Sequence, residues 1–155
     1  MAGRRRLDRR AHVPTRGARE RMRRRIANSG RLVGGWLDLA IDAEGSLVGE
    51  IDARHPPRAM PPGVFELGIA LFAEEVRGRG YGTEAIALLT AHLFEELGAE
   101  RVQASTAVDN SAMRRVFEKL GFTKEGVMRS YMPAGESRDD YVLYAVTRAD
   151  WTAGR

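Results

Sequence analysis

The stretch "EEVRGRGYGTEA", residues 74–85, places three glycines and two arginines directly ahead of a helix-forming run. Glycine adopts backbone conformations that other residues avoid, so the segment predicts a tight turn. Such a turn directs backbone N–H groups into a concavity, and the helix expected from about Thr83 adds its own unpaired N–H groups and positive dipole end. Together with the guanidinium groups of Arg77 and Arg79, these donors predict a phosphate-binding turn.

The turn differs from the two commonest nucleotide-binding loops. It lacks the Lys-Ser/Thr ending of the nucleoside-triphosphate loop. Its glycines also lack the spacing of the dinucleotide fingerprint, and the preceding strand does not begin a repeated βαβ array. The alternative interpretation is a glycine-rich connection between a strand and a helix, with solvated arginines.

The remaining pattern predicts an α/β domain with a mixed sheet, in the order helix, three strands, helix, strand, helix, two strands. Residues 1–14 are expected to be a basic disordered arm, and residues 15–155 a single domain. The predicted elements are a helix over 15–28, strands over 36–41, 47–51 and 64–72, a helix from Thr83, a strand over 101–108, a helix capped by Asp109 or Asn110, and strands over 122–132 and 139–147.

Composition excludes several kinds of site. The chain has no cysteine, which excludes disulfides, thiolate metal sites and cysteine nucleophiles and fits a reducing compartment. Its three histidines are far apart in sequence, which argues against a metal centre. No apolar run is long enough to cross a membrane, so we expect a soluble, cytoplasmic protein.

Charge is distributed unevenly along the chain. Residues 1–31 contain twelve arginines against two acidic residues, a net charge of +10, whereas the remainder carries −6. The basic segment predicts contact with nucleic acid or an acidic surface, or else a solvated leader. The acidic remainder favours a cationic amine as the partner of the folded part, without distinguishing a protein N-terminus from a small amine.

Two spaced motifs resemble those of the GNAT N-acetyltransferase superfamily. Arg77, Gly80 and Gly82 match its pattern Arg/Gln-x-x-Gly-x-Gly/Ala, and "DNSAMRRVFEKLGF", residues 109–122, resembles its second block. The segments "RGRGYGTEA", "FEKLGF" and "DDYVLYAVTRADW" are similar to the RimJ/RimL-like branch, which acetylates protein N-termini and small amines. The resemblance spans about residues 35–151. It implies a GNAT-like mixed, mostly antiparallel central sheet flanked by helices, with the family's N-terminal strand missing or replaced.

The resemblance implies acetyl-CoA as the acyl donor. The turn amides would hold its diphosphate, main-chain groups of Leu71 and Phe72 would hold the pantetheine arm and thioester, and an N–H near Phe72 would polarise the thioester oxygen. Asn110 would contact the pantetheine region, a role compatible with capping a helix. The implied cofactor-binding residues are Leu71, Phe72, Arg77, Gly78, Arg79, Gly80, Tyr81, Gly82, Thr83 and Asn110.

Acetyl transfer to an amine benefits from a general base, and Glu66 is the candidate, because family members that use a glutamate base place it there. Its neighbours Phe65 and Leu67 lead us to expect a partly desolvated carboxylate with a raised pKa. The alternative is a carboxylate on a solvated face, or one that only orients substrate.

The general acid is not evident from the sequence. Phe117 and Met113 occupy the positions at which relatives carry a tyrosine or a serine, and neither can donate a proton. Ser111 or Tyr131 could replace them, or the thiolate could leave unprotonated (thiol pKa ~8.5).

Three function classes therefore follow from the sequence. The first is an acetyl-CoA-dependent N-acetyltransferase acting on a protein N-terminus or a small cationic amine. The second is a non-catalytic acyl-CoA-binding module, and the third is a ribosome- or RNA-associated protein using the arginine-rich segment. An exposed sheet edge would also favour a homodimer.

Overall fold

The computed structural model describes residues 16–154, which form one sheet of six strands with helices on both faces. The predicted arm, residues 1–14, lies outside the described residues. The elements are α1 (Arg16–Asn28), β1 (Trp36–Ala43), β2 (Ser46–Arg54), β3 (Val64–Leu71), a 3-10 turn (Glu74–Val76), α2 (Tyr81–Glu95), β4 (Arg101–Ala107), α3 (Ser111–Lys119), β5 (Thr123–Ala134), β6 (Ser137–Thr147) and α4 (Arg148–Ala153).

The strand order is β1-β2-β3-β4-β6-β5. Only β3 and β4 run parallel, because the crossover through α2 joins them, and the other neighbours are antiparallel. The predicted mixed, mostly antiparallel sheet is confirmed. Within residues 16–154 no strand precedes β1, which forms one edge of the sheet.

The core lies on one face of the sheet, called here the core face, beneath α2 and α3. Alternate strand residues point to this face, and the amphipathic helices bury their apolar sides against it. The core includes Leu37, Ile51, Ala53, Phe65, Leu67, Val102, Ala104, Val142, Tyr144 and Val146 from the strands and Ile86, Leu89, Leu93 and Phe117 from the helices.

The opposite face of the sheet, called here the open face, carries polar and charged side chains. Helix α1 is held to it at the β1 end, where the Arg25 guanidinium donates to the Asp38 carboxylate over 2.7 Å. Asp38 pairs across the strands with Asp52, and Arg54 pairs with Glu66. The two faces therefore differ in chemistry: one is the core, and the other is polar and only partly covered.

Helix α4 was not predicted. It has only six residues and begins directly after the last residue of β6, so the sequence between them contains no turn. A capping box explains its start: the Thr147 hydroxyl accepts from the Asp150 N–H, and the Asp150 carboxylate accepts from the Thr147 N–H. Among residues 16–154, no helix has the length and apolar character needed to cross a membrane.

Candidate active site

The glycine turn leads into α2 at Tyr81, two residues earlier than predicted. Gly78 and Gly80 have positive φ angles of 72° and 90°, which side chains disfavour, so the turn needs glycine at both positions. Tyr81, Gly82 and Thr83 form the first helical turn. The sequence suggested a later start because Gly82 is a poor helix former, but N–H groups of a first turn need no helical partner.

The N-terminus of α2 has no side-chain cap within the described residues. Helices α3 and α4 both have one: the Asn110 amide oxygen accepts from the Met113 N–H, and Thr147 caps α4. Gly80 offers α2 no side chain, so the leading N–H groups of this helix remain directed at the turn. Uncapped helical N–H groups are suited to an anion.

The two arginines of the turn are exposed, as a phosphate-binding role requires. The Arg77 N–H already donates to the Glu74 carbonyl over 3.0 Å and closes the 3-10 turn. Arg77 is therefore a phosphate-binding candidate through its guanidinium group and not through its backbone, which corrects the expectation for its amide.

Beside this turn, β3 and β4 separate. They pair from Val64↔Arg101 to Leu67↔Ala104, although β3 continues to Leu71 and β4 to Ala107. Strand β3 stays paired with β2 as far as Leu71, and β4 stays paired with β6 as far as Ala107, so the sheet opens between β3 and β4 alone. The resulting opening between residues 68–71 and 105–107, called here the strand gap, is the separation that the family resemblance implies.

A cavity of about 110 Å³ lies in the strand gap. Gly68 and Ile69 of β3 line one wall, Ser105 and Thr106 of β4 line the other, and the start of α3 closes one side. The start of α2 lies alongside, since a Cβ built on Gly82 would be 3.7 Å from the Ile69 side chain. The uncapped helix and the strand gap are therefore neighbours.

The hydrogen-bonding direction along β3 corrects the expectation for Phe72. Its N–H donates to the Val48 carbonyl of β2 over 3.0 Å, so it points away from the strand gap. Backbone groups alternate in direction along a strand, and those of Leu71 and Ile69 consequently point to the β4 side. The Leu71 N–H is the better candidate for the thioester oxygen.

Three residues that the sequence singled out line the cavity: the α3 cap Asn110, and Met113 and Phe117 of α3. The capping role of Asn110 is confirmed, and it occupies only the amide oxygen, which leaves the NH₂ group as a donor. Phe117 is 3% exposed and packs against the rings of Phe122 and Tyr144. Met113 and Phe117 therefore serve the core and the cavity wall together.

Neither predicted substitute for the general acid lies in the cavity wall. Ser111 is exposed at the start of α3, and Tyr131 lies on β5, which β6 separates from β4. The hydroxyl-bearing residues of the cavity wall are Ser105 and Thr106, which sequence reasoning missed. Both residues follow the last pair between β4 and β3, as Gly68 does on β3. The sequence alone does not reveal this, because it depends on the strand register.

Glu66 lies on the open face, one pair before the strand gap. Its carboxylate accepts from Arg54 over 3.1 Å and, more weakly, from the Gln103 amide over 3.4 Å. The expected apolar surroundings are wrong, because strand alternation sends Phe65 and Leu67 to the core face instead. Glu66 is a partly buried, ion-paired carboxylate.

A larger groove of about 510 Å³ lies between β1 and α2 on the core face. It shares Tyr81 with the turn, but no residue of the strand gap lines it. The polar groups and the diverging strands coincide at the smaller cavity, which is therefore the candidate active site.

A family model described as "Acetyltransferase (GNAT) domain" matches residues 4–123. This match covers more than half of the chain and begins within the stretch predicted to be a disordered arm.

Individual relatives support the same family. The chain is 34% identical over 83 residues to the uncharacterized N-acetyltransferase YoaA of Bacillus subtilis, covering 54% of this chain and 46% of that one. It is 30% identical over 79 residues to the [Ribosomal protein uS5]-alanine N-acetyltransferase of Escherichia coli, covering 51% and 41%. These matches span about half the length of the curated relatives.

The fold is similar to that of Mycobacterium smegmatis RimJ, solved in complex with CoA-disulfide. The TM-score is 0.69, at 24% identity over 90% of this chain and 66% of that one. Because the family model matches more than half of the chain, the chain belongs to the GNAT acetyltransferase family.

Proposed function

We propose that this protein is an acetyl-CoA-dependent N-acetyltransferase that moves an acetyl group to a primary amine. The observation that carries the proposal is the placement of the uncapped α2 N-terminus directly beside the strand gap. The two features suit the two parts of one ligand, a diphosphate and an extended arm ending in a thioester. The E. coli relative is named as an N-acetyltransferase, and the structure of M. smegmatis RimJ was solved with CoA-disulfide.

The residues present fit that ligand. The diphosphate would be held by the N–H groups from Gly78 to Thr83 and by the side chains of Arg77 and Arg79. The arm would follow the β3 edge at Leu71, with Phe72 bordering it and the Asn110 NH₂ group donating to it. Acetyl-CoA supplies an acyl group activated as a thioester.

The transfer forms one C–N bond and breaks one C–S bond, and two protons must be handled. The ammonium group of the acceptor first loses a proton to a base, since most primary amines are protonated at pH 7. Glu66 is the base indicated by the sequence, acting directly or through water. Attack on the carbonyl carbon then places charge on its oxygen, where the Leu71 N–H can stabilise it.

The departing sulfur takes the second proton, which the attacking nitrogen gives up. Ser105 and Thr106 are positioned in the cavity wall to pass it on. A thiolate can also leave without an acid, since the thiol pKa is ~8.5. The missing tyrosine or serine at Phe117 and Met113 therefore does not prevent transfer.

The acceptor that fits the open face is cationic. Asp38, Glu50, Asp52 and Glu66 share this face with Arg25 and Arg54. The E. coli relative is named as an alanine N-acetyltransferase of ribosomal protein uS5, and we propose a protein N-terminus or a small cationic amine as the acceptor class. The reaction is proposed for the cytoplasm, by a single domain over residues 15–155 preceded by a basic arm over 1–14.

Two other functions remain as alternatives. A non-catalytic acyl-CoA-binding module is favoured by the absence of a proton donor at Met113 and Phe117. An RNA- or ribosome-associated role is favoured by the twelve arginines of residues 1–31.

The oligomeric state is a separate matter. Pairing of two copies at the exposed β1 edge would give a homodimer.

A thiol-release assay tests the proposal. The purified protein is mixed with acetyl-CoA and a panel of amines that includes alanine-initiated peptides, spermidine and amino acids, and free thiol is followed with time. Amine-dependent release with matching acetylated product by mass spectrometry is expected. Saturable coenzyme A binding without release for any amine would instead identify the binding module, and neither binding nor release would overturn the proposal.

A further inference from the structure

Asp52 on β2 occupies space that a side chain on β3 would normally fill. It pairs with Gly68 across the two strands, and a Cβ built on Gly68 would lie 2.6 Å from the Asp52 Oδ1 atom. The φ angle of Gly68 is one that any residue can adopt, so backbone conformation does not demand glycine here. The glycine makes room for the Asp52 carboxylate.

The position of Gly68 places this carboxylate at the strand gap. Gly68 is the first residue of β3 beyond the last pair with β4, Leu67↔Ala104, and it lines the cavity. Asp52 therefore lies at the mouth of the strand gap on the open face. Glu66 lies one pair further back, where β3 and β4 are still joined.

The environment of Asp52 is suited to a cationic group. Its Oδ2 atom is buried and, among the described residues, has no hydrogen-bond partner, although the Arg54 Nε atom lies 3.1 Å away in an ion pair of unfavourable hydrogen-bond geometry. Burial raises the pKa of Asp52, and Arg54 opposes that rise. The charged groups that face it are Arg25 of α1, Asp38 of β1, Glu50 and Arg54 of β2, and Glu66 of β3.

We propose that Asp52, in place of the sequence-based candidate Glu66, binds the ammonium group of the acceptor and takes its proton, while Glu66 acts as a positioning residue that holds Arg54. This inference rests on the proposed N-acetyltransferase function. In the step, the N–H bond of the ammonium breaks and an O–H bond forms on Asp52, which leaves a neutral amine. The amine attacks the thioester carbonyl from the open face, and the carboxylic acid returns its proton to solvent after product leaves.

The first test compares kcat/KM from pH 5 to 9 for the wild type, Asp52→Asn and Glu66→Gln, with Glu96→Gln as the control. Glu96 is exposed at the far end of α2, so its variant removes a carboxylate without touching the site. Asp52→Asn should lose about 100-fold or more at neutral pH and the acid limb of the profile. Glu66→Gln should lower kcat/KM but keep the acid limb of the pH profile.

A second variant acts on Asp52 without replacing it. Gly68→Ala should displace the carboxylate, because the added methyl would otherwise be 2.6 Å from Oδ1. In the wild type, Gly68→Ala should lower kcat. In the Asp52→Asn background, the same substitution should lower kcat by only a small fraction of that amount. If the kcat loss of the double variant equalled the product of the two single losses, Gly68→Ala would not act through Asp52.

The outcomes separate the two proposals. Coenzyme A affinity, measured by calorimetry, should be unchanged in Asp52→Asn, Glu66→Gln and Glu96→Gln and shows that each is folded. If the wild type releases thiol and Asp52→Asn retains its kcat/KM and acid limb, Asp52 is not the proton acceptor and only this inference fails. If the folded wild type acetylates no amine, the proposed function fails, and this inference with it.

Discussion

At the scale of single residues, two glycines of the turn differ in what they do. Gly80 has φ +90°, a conformation that costs an L-residue about 1–2 kcal/mol, whereas Gly82 is helical. Gly80→Ala is therefore expected to lower the free energy of unfolding by about that amount, or to shift the turn and weaken coenzyme A binding. Gly82→Ala is the matched control for stability, since its new methyl would have neighbours at ordinary contact distances of 3.7 and 3.9 Å.

Urea unfolding and calorimetric titration of both variants check this difference. Equal losses in both would show that the positive φ of Gly80 is not what the turn requires.

The role of Glu66 can be tested by comparing its variant with a variant of Ser111, whose hydroxyl lies outside the cavity wall. Glu66→Gln removes the charge that pairs with Arg54, so it should lower kcat/KM at neutral pH by more than Ser111→Ala, which alters an exposed residue. The measurement is thiol release with a saturating acetyl donor across pH 6–9. If Glu66→Gln matched the wild type throughout that range, Glu66 would have no part in proton transfer or in positioning Arg54.

At the scale of elements, the start of α3 combines a structural and a binding role. Asn110→Ala removes the cap on the Met113 N–H and should cost about 1 kcal/mol of unfolding free energy. Asn110→Ser keeps a capping oxygen but removes the NH₂ group, so it should retain stability and still lose coenzyme A affinity. Full affinity in the serine variant would limit Asn110 to capping.

A charge pair ties β4 to β5 across the intervening β6. The Arg101 guanidinium donates to the Glu125 carboxylate, and this hydrogen bond lowers the pKa of Glu125, whereas burial opposes the shift. The stabilisation should be complete above the unfolded-state pKa of ~4.3 and should disappear as the pH falls through the lower folded-state value. The Tm difference between wild type and Glu125→Gln should shrink accordingly from pH 7 to pH 3, and a difference independent of pH would contradict the pairing.

Most elements were predictable from local pattern. The hairpin of β1 and β2, the proline-rich loop over 55–63 and the stop of α3 before Gly121 follow from turn residues and apolar spacing. The first turn of α2 and the short α4 were missed because their starts depend on backbone N–H partners. The direction of the Phe72 N–H was also out of reach, since it depends on strand register.

At the scale of the whole molecule, the candidate site was only partly visible in the sequence. The glycine turn and Asn110 carry local signals, so their roles could be anticipated. Asp52, Ser105 and Thr106 are brought together by pairing between distant strands, and nothing in their own neighbourhoods marks them. The surroundings of Glu66 were misjudged for the same reason.

The charge asymmetry of the chain gives a prediction at this scale. The net charge of +10 on residues 1–31 should dominate any nucleic-acid affinity. Removing residues 1–14 should weaken RNA binding and reduce its salt dependence, while coenzyme A binding is retained. RNA affinity and salt dependence that survive the deletion would show that the segment is not the binding element.

The most direct test of the account is a calorimetric titration of the wild-type protein with coenzyme A and, separately, with pantetheine, which has the arm but lacks the diphosphate. We expect saturable one-to-one binding of coenzyme A and much weaker binding of pantetheine, because the α2 N-terminus and its turn contribute only through the diphosphate. Equal affinities for the two ligands, or no heat with coenzyme A, would contradict it.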